Sequence, residues 1–150
     1  MNHIWFECEV SRKYNLWERA EKLWTASTIN DKWITPNKAL IRGLAGIRKT
    51  KAFSCMTKMR KYANIVLETA WLLWKARNEV VIAERQITKN EMNGRWTQVI
   101  KDKIESDYFK ITMKKNTQKK KTELTKFKKM WTEKEHVASI HKGRLTINEW

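Results

Sequence analysis

The sequence predicts an all-α protein: a single small helical domain with a long central helix and a lysine-rich C-terminal helix. Glycine and proline are scarce, with four and one in 150 residues, whereas a β-rich domain needs many turn residues. Apolar residues also recur at steps of three and four over long stretches, which is the helical period. With 41% apolar and 11% aromatic residues, the chain is rich enough to fold around a core.

The first helix is predicted over residues 10–26. Leu16 and Leu23 share one face of it, and Trp17 and Trp24 widen that face because they are also seven residues apart. Large aromatic side chains favour burial, so we expect most of the nine tryptophans to lie in the core rather than to serve as ligand platforms. A loop and a short helix then precede the central helix.

The central helix is predicted over residues 53–86, which contain neither glycine nor proline. Its apolar stripe consists of Met59, Ala63, Val66, Ala70, Leu73 and Val80. Trp71 and Trp74 broaden the stripe, so we expect this helix to be covered on more than one side and both tryptophans to belong to the core.

Residues 88–131 are also predicted to be helical. Thr88 and Glu91 fit a capping box, in which each side chain accepts a backbone N–H of the other residue. The apolar positions that follow at helical intervals are Met92, Trp96, Ile100, Ile104, Tyr108 and Ile111.

Residues 116–118 interrupt this pattern, and Leu124, Phe127 and Trp131 indicate a fourth helix or a continuation. No period is clear over residues 132–150, which are predicted to be an irregular tail outside a helical domain of residues 1–131.

The formal net charge is +16, from 32 basic and 16 acidic residues, which makes a polyanion the natural partner. Lysines outnumber arginines by 23 to 9. Lysine is a flexible point charge without the planar fork that reads base edges, so the bias favours contacts with a nucleic-acid backbone. The alternative is a solvated lysine surface that keeps the protein in solution.

The densest basic run lies in the C-terminal third and predicts a nucleic-acid-binding stripe that can neutralise phosphates. Its members are Lys114, Lys115, Lys119, Lys120, Lys121, Lys126, Lys128 and Lys129. A nuclear-import signal and a calmodulin-type target helix, in which basic residues flank an aromatic anchor, remain open as alternatives.

The sequence contains no motif of a catalytic centre. It lacks the phosphate-binding loop Gly-x-x-x-x-Gly-Lys-Ser/Thr, the dinucleotide fingerprint Gly-x-Gly-x-x-Gly and the nucleophile elbow Gly-x-Ser-x-Gly. We therefore predict a protein that is not an enzyme and needs no cofactor.

His3 and Cys8 have the spacing of the second half of a CCHC zinc knuckle, but the Cys-x-x-Cys half is missing. Residues 1–9 are therefore interpreted as a relic half-knuckle that binds no metal.

The two cysteines, Cys8 and Cys55, are predicted to be free thiols in a reducing compartment. Glu7 and Glu9 interrupt the apolar residues near the N-terminus, so no signal segment is evident there. No apolar run of about 20 residues could span a membrane. These observations predict a nuclear or cytoplasmic protein with no membrane partner.

Several of these residues together resemble the C-terminal region of non-LTR retrotransposon reverse transcriptase polyproteins. The pair His3-x-x-x-x-Cys8, followed by Ser11-Arg12 and Trp17, resembles the zinc knuckle of that region. The segment Trp71-x-x-Trp74-Lys75-x-Arg77-Asn78-Glu79 resembles the tryptophan-rich helix that follows the knuckle, and Arg95-Trp96 and Trp131 resemble a downstream segment of fungal copies. The resemblance implies nucleic-acid association in a reverse-transcribing element, but it carries over no polymerase or ribonuclease activity.

The function predicted from the sequence is sequence-nonspecific binding of DNA or RNA by a non-catalytic, retrotransposon-derived module. The alternative is a helical interaction module that associates with itself or with an acidic protein. Salt separates the two, because phosphate binding weakens steeply as salt rises and an apolar helix interface barely responds.

Overall fold

A computed structural model describes residues 3–7, 9, 14–42 and 53–150, and only the backbone of His3, Ile4, Lys38 and Arg42. A π-helical turn spans His3–Glu7. The helices are α1 (Leu16–Ser27), α2 (Lys38–Arg42), α3 (Met56–Val81), α4 (Lys89–Thr112) and α5 (Thr117–Trp131), and the strands are β1 (Ala138–His141) and β2 (Arg144–Ile147). The predicted all-α class, with its long central helix and its lysine-rich C-terminal helix, is confirmed.

Helix α3 is the centre of the fold, because α1, α4, α5 and the N-terminal turn all pack against it. Helices α3 and α4 run antiparallel: Glu79, near the end of α3, is hydrogen-bonded to Arg95 near the start of α4. Farther along, Trp96 Nε1 of α4 donates to Thr69 Oγ1 of α3 at 2.9 Å. Helix α5 then lies against both, so three long helices enclose most of the core.

The turn between α3 and α4 is held by charge as well as by a cap. The Thr88 side chain accepts the backbone N–H of Glu91 at 3.1 Å, as the predicted capping box requires. The Glu91 carboxylate instead pairs with Arg85 and Arg95, both of which also bind Glu79. This network of four side chains links the end of α3 to the start of α4.

Three of the nine tryptophans, Trp24, Trp96 and Trp131, are fully buried in the core. Tyr14 and Tyr62 are buried too, and each hydroxyl donates to a loop carbonyl: Tyr14 to Ile87 O at 2.8 Å and Tyr62 to Ile34 O at 2.7 Å. Such bonds remove the cost of burying a phenolic hydroxyl, so the aromatic core also fixes the two loops.

The prediction that Trp71 belongs to the core is wrong. Trp71 is 56% exposed, and Trp74 is only half-buried. The buried side of α3 runs through Tyr62, Ile65 and Thr69, and Trp71 points away from it because each residue turns the helix by about 100°. The stripe is therefore narrower than the sequence indicated, and one face of the central helix stays uncovered.

The predicted irregular tail over residues 132–150 is also wrong, because it contains a β-hairpin. His141 pairs with Arg144 across a two-residue turn of Lys142 and Gly143, and both turn residues have positive φ, 49° and 76°. Positive φ at both residues is typical of a type I′ turn, whose twist matches that of the paired strands. Val137, immediately before β1, is fully buried, so the tail is part of the domain.

Two helix starts are set by asparagine. Helix α1 begins at Leu16, after Asn15 in a left-handed conformation (φ 50°), which asparagine tolerates better than most residues. Glu9 and Tyr14 are helical as well, and residues 10–13 lie outside the described part of the chain. The segment 88–131 forms two helices, as the predicted interruption at residues 116–118 allowed, and Asn116 caps α5 by accepting the backbone N–H of Lys119 at 2.9 Å.

Candidate nucleic-acid interface

Helix α5 carries most of the predicted binding lysines, and its amphipathic pattern determines where they can point. Phe127 and Trp131 are its buried residues, which anchor one face of the helix against α3 and α4. The positions on the outer side of the helix are exposed, so most of its lysines are open to solvent.

The predicted lysines do not form one stripe. Lys121 and Lys128, seven residues apart, lie on one flank of α5, and Lys119 and Lys126, also seven apart, lie on the opposite flank. Lys129 points outward between them. Seven of the eight lysines are exposed, namely Lys114, Lys115, Lys119, Lys121, Lys126, Lys128 and Lys129. They would face a ligand from two directions.

Lys120 is the exception among the predicted residues. It is half-buried, and its Nζ donates to the carbonyl oxygen of Thr112 at 2.9 Å. That carbonyl belongs to the last turn of α4, where backbone acceptors have no partner within the helix. Lys120 therefore caps α4, and its structural role competes with phosphate binding.

The flank of Lys126 borders a groove of about 450 Å³ between α3, α4 and α5. Its basic residues are Arg60 from α3, Lys103 and Lys110 from α4, Lys114 from the α4–α5 loop, and Lys126 from α5. The floor is apolar and consists of Ala63, Ile111, Phe127 and Met130. We call this feature the basic groove.

The basic groove holds five cations and two carboxylates, Asp107 and Glu123. Each carboxylate is already paired, Asp107 with Lys103 at 2.8 Å and Glu123 with Lys126 at 2.9 Å. The three other cations, Arg60, Lys110 and Lys114, form no salt bridge with a carboxylate among the described residues. An excess of three positive charges is thus left for a ligand.

The field of these cations acts on Glu123. Its hydrogen bond with Lys126 is the main cause that lowers the pKa of this carboxyl; burial opposes it as the next-largest cause, and the charges of Lys126, Lys114 and Arg60 lower the pKa further. Two of these cations come from other elements than α5, so the positive potential belongs to the groove as a whole. Such a concave, positively charged surface attracts anions from solution.

Sequence reasoning found Lys114 and Lys126 but missed Arg60, Lys103 and Lys110. One signal was available: Lys103 and Lys110 are seven residues apart and so share a face of α4. No sequence signal placed Arg60 beside that face, because their shared position in the groove depends on how α3 and α4 pack.

The predicted relic half-knuckle lies partly outside the described residues, since Cys8 is not among them. Within the described part of the chain, no three His, Cys, Asp or Glu side chains come together as metal ligands would. Among the described helices, none is both long and apolar enough to cross a membrane.

Comparison with known proteins finds no counterpart: no family model, no curated protein and no solved structure matches the chain.

Proposed function

We propose that the protein binds nucleic acid through its phosphate backbone, without base-sequence preference and without catalysis, and that the basic groove is the main contact surface. The observation that carries this proposal is the excess positive charge of the groove, built by three helices and the loop between two of them. Nucleic-acid phosphates that enter the groove would release the counterions condensed on them, and this release is the main favourable contribution to the free energy of such binding.

The chemistry of the groove is suited to a phosphate backbone. Its cations are mostly lysines on separate elements, and lysine binds phosphate as a mobile point charge that needs no fixed acceptor geometry. A backbone that presents a phosphate at every nucleotide meets such a surface in many registers, which accounts for binding without sequence preference.

The residues that resemble the retrotransposon polyprotein region give this proposal its biological setting. We infer an accessory module of a reverse-transcribing element, working inside the cell in the nucleus or cytoplasm, that holds nucleic acid while chemistry takes place elsewhere. The resemblance rests on scattered tryptophans, one His–Cys pair and an Arg–Asn dipeptide, whereas the charge of the groove supports nucleic-acid binding independently of that origin.

The alternative is a helical interaction module with no nucleic-acid role, which associates with itself or with an acidic protein. It is favoured by exposed apolar side chains on α3 and just beyond it: Leu67, Trp71, Val81 and Ile82 are 48%, 56%, 52% and 73% exposed. Exposed apolar patches of this kind commonly mark an interaction surface.

The test is a binding assay with labelled duplex DNA, by fluorescence anisotropy, at one fixed moderate salt concentration. The variant Arg60→Gln/Lys110→Gln/Lys114→Gln removes the three unpaired groove cations. We expect its affinity to fall roughly tenfold or more, equally for unrelated sequences. Folding should be unaffected, because all three side chains are exposed.

The matched control is Lys121→Gln/Lys128→Gln/Lys129→Gln, which removes the same charge from the part of α5 that faces away from the groove. It should lose clearly less affinity. If both triple variants lose affinity equally, binding follows overall charge rather than the groove. If the parent protein does not bind nucleic acid, the interaction module becomes the better account.

A further inference from the structure

The open face of α3 carries an aromatic pair that the core does not use. The rings of Trp71 and Trp74 are stacked, with centroids 4.7 Å apart and an angle of 19° between their planes. Trp74 is half-buried and so holds its partner in place, whereas Trp71 is 56% exposed. One ring face of Trp71 lies on Trp74, which leaves the other face and the ring edge to solvent.

This pair lies in line with the basic groove. Asn64, which lines the groove, is seven residues before Trp71, and Arg60 is eleven residues before it. Both spacings bring the side chains back to nearly the same direction on a helix, roughly 10 Å and 16 Å from Trp71 along its axis. Stacked nucleotides rise about 3.4 Å each, so the shorter distance is roughly three nucleotides.

The charge around the pair is also complementary to a phosphate backbone. Lys75 is exposed and follows Trp71 by four residues, which places it one turn farther on the same side. Two carboxylates of α3 lie near the pair: Glu68, three residues before Trp71, is half-buried and feels the charge of Lys103, and Glu79 is already bound by Arg85 and Arg95. An aromatic surface with cations on both sides is the arrangement by which proteins hold single strands, because any base can stack and any phosphate can pair.

We propose that Trp71 and Trp74 form a stacking platform for an unpaired nucleobase, so that the preferred ligand is a single strand whose phosphates continue into the basic groove. This inference rests on the proposed function and specifies its ligand. A duplex keeps its base faces stacked on one another inside the helix, and a flat ring on a convex helix surface cannot reach them. Only an unpaired base can therefore use the platform.

The experiment compares a labelled single strand of 20 nucleotides with the duplex of the same sequence, using the full chain. Three substitutions of one residue separate ring stacking from apolar area: Trp71→Ala, Trp71→Leu and Trp71→Phe. We expect the alanine and leucine variants to lose roughly 5- to 150-fold in single-strand affinity, the range measured for one lost base–aromatic stack. Duplex affinity should change little, and Trp71→Phe should retain most of the single-strand affinity.

Tryptophan fluorescence provides a second readout. Stacking on a base quenches the ring, so the single strand should quench the parent protein more than it quenches Trp71→Phe, and the difference should be absent with duplex. Circular dichroism of each variant verifies the fold, which an exposed position should preserve.

The possible outcomes distinguish this inference from the function on which it rests. If the parent binds single strand and duplex equally and the Trp71 variants change neither, the platform is rejected and the groove is retained. If the parent binds no nucleic acid, both proposals fail. If Trp71→Leu binds a single strand as well as the parent does, the site recognises apolar area rather than a ring, and the face is better suited to a protein partner.

Discussion

The two faces of helix α3 have the same backbone and opposite surroundings. The inner face, through Tyr62, Ile65 and Thr69, is buried under α1, α4 and α5. The outer face carries the exposed residues Arg60, Leu67 and Trp71. The difference shows that a tryptophan on the central helix does not necessarily belong to the core. Trp71 lies on α3 and is exposed, whereas Trp96 lies on α4 and is buried against the inner face of α3.

The contrast also separates stability from binding. Side chains on the inner face are closely packed and hydrogen-bonded, so changes there should cost free energy of unfolding. Side chains on the outer face are solvated, so changes there should leave unfolding almost unchanged and alter affinity instead.

The largest expected change in the free energy of unfolding comes from a residue packed against the inner face. Trp96 is fully buried, donates to Thr69 Oγ1 at 2.9 Å, and has the Arg19 guanidinium 5.3 Å from its ring centre. We expect Trp96→Ala to lower the free energy of unfolding by about 3–5 kcal/mol, because a large cavity is left in the core. Chemical denaturation followed by circular dichroism measures it, and a loss below about 1 kcal/mol would contradict the assignment of this residue to the core.

The second effect is a pH dependence from Lys61, which is buried on the inner face between the rings of Trp24 and Trp131. Its Nζ donates to Ser27 O at 2.6 Å and to Thr28 Oγ1 at 3.1 Å. Burial lowers the pKa of Lys61 from its ordinary 10.5 to about 7. Between these values the unfolded chain holds the proton that the folded chain has lost, so stability should rise with pH.

The slope of this rise is at most about 1.4 kcal/mol per pH unit, and we expect roughly 3 kcal/mol between pH 7 and pH 10. Burial raises the pKa of Tyr62. Above pH 10 the unfolded chain therefore loses the phenolic proton before the folded chain does, and stability should fall again as pH rises. The control is Lys61→Met, which keeps the aliphatic stem. If the variant and the parent show the same pH dependence, Lys61 is not its source.

The third effect is smaller and tests a single hydrogen bond on the inner face. Thr69 accepts from Trp96 Nε1 and donates to Ile65 O at 2.7 Å. Thr69→Val keeps the shape of the side chain and leaves the indole N–H buried without a partner. We expect a loss of about 1–3 kcal/mol, measured by thermal or chemical unfolding. Thr69→Ser, which keeps the hydroxyl, should restore part of the loss.

The smallest effect is on the outer face. Trp71→Ala removes an exposed ring and its stack with Trp74, and we expect it to change the free energy of unfolding by about 0.5 kcal/mol. Measured beside Trp96→Ala, it compares the same substitution on two adjacent helices. A loss of several kcal/mol would mean that Trp71 supports the fold and that the outer face is not open.

The sequence predicted α4 well because its apolar residues, from Met92 to Ile111, follow one narrow period and Thr88 marks its start. It failed for Trp71 because a wide stripe shows that a helix is apolar on several sides but not which sides a neighbour covers. It missed the hairpin because the strands have four residues each and the turn places a lysine, Lys142, in a left-handed conformation where Asn or Gly is the usual signal.

The candidate site was predictable only in part, for a physical reason. Lysine content predicted a polyanion partner, and the run around Lys119 predicted where charge is densest. The basic groove, however, is lined by both Arg60 of α3 and Lys110 of α4, which border the same groove only because these two helices pack against each other. The spacing of residues in the sequence cannot show that two helices pack together. The sequence therefore located the lysine run but not the cations that α3 and α4 bring to the groove.

The most direct test of the outer face as a phosphate-binding surface is the salt dependence of duplex binding in the parent protein and in Arg60→Gln/Lys110→Gln/Lys114→Gln. With about four to six phosphate contacts, the plot of log affinity against log salt concentration should fall with a slope of about −4 to −5 in the parent. The slope should flatten by roughly two to three units in the variant. Equal slopes for the two proteins would contradict the account, because the groove cations would then release no counterions on binding.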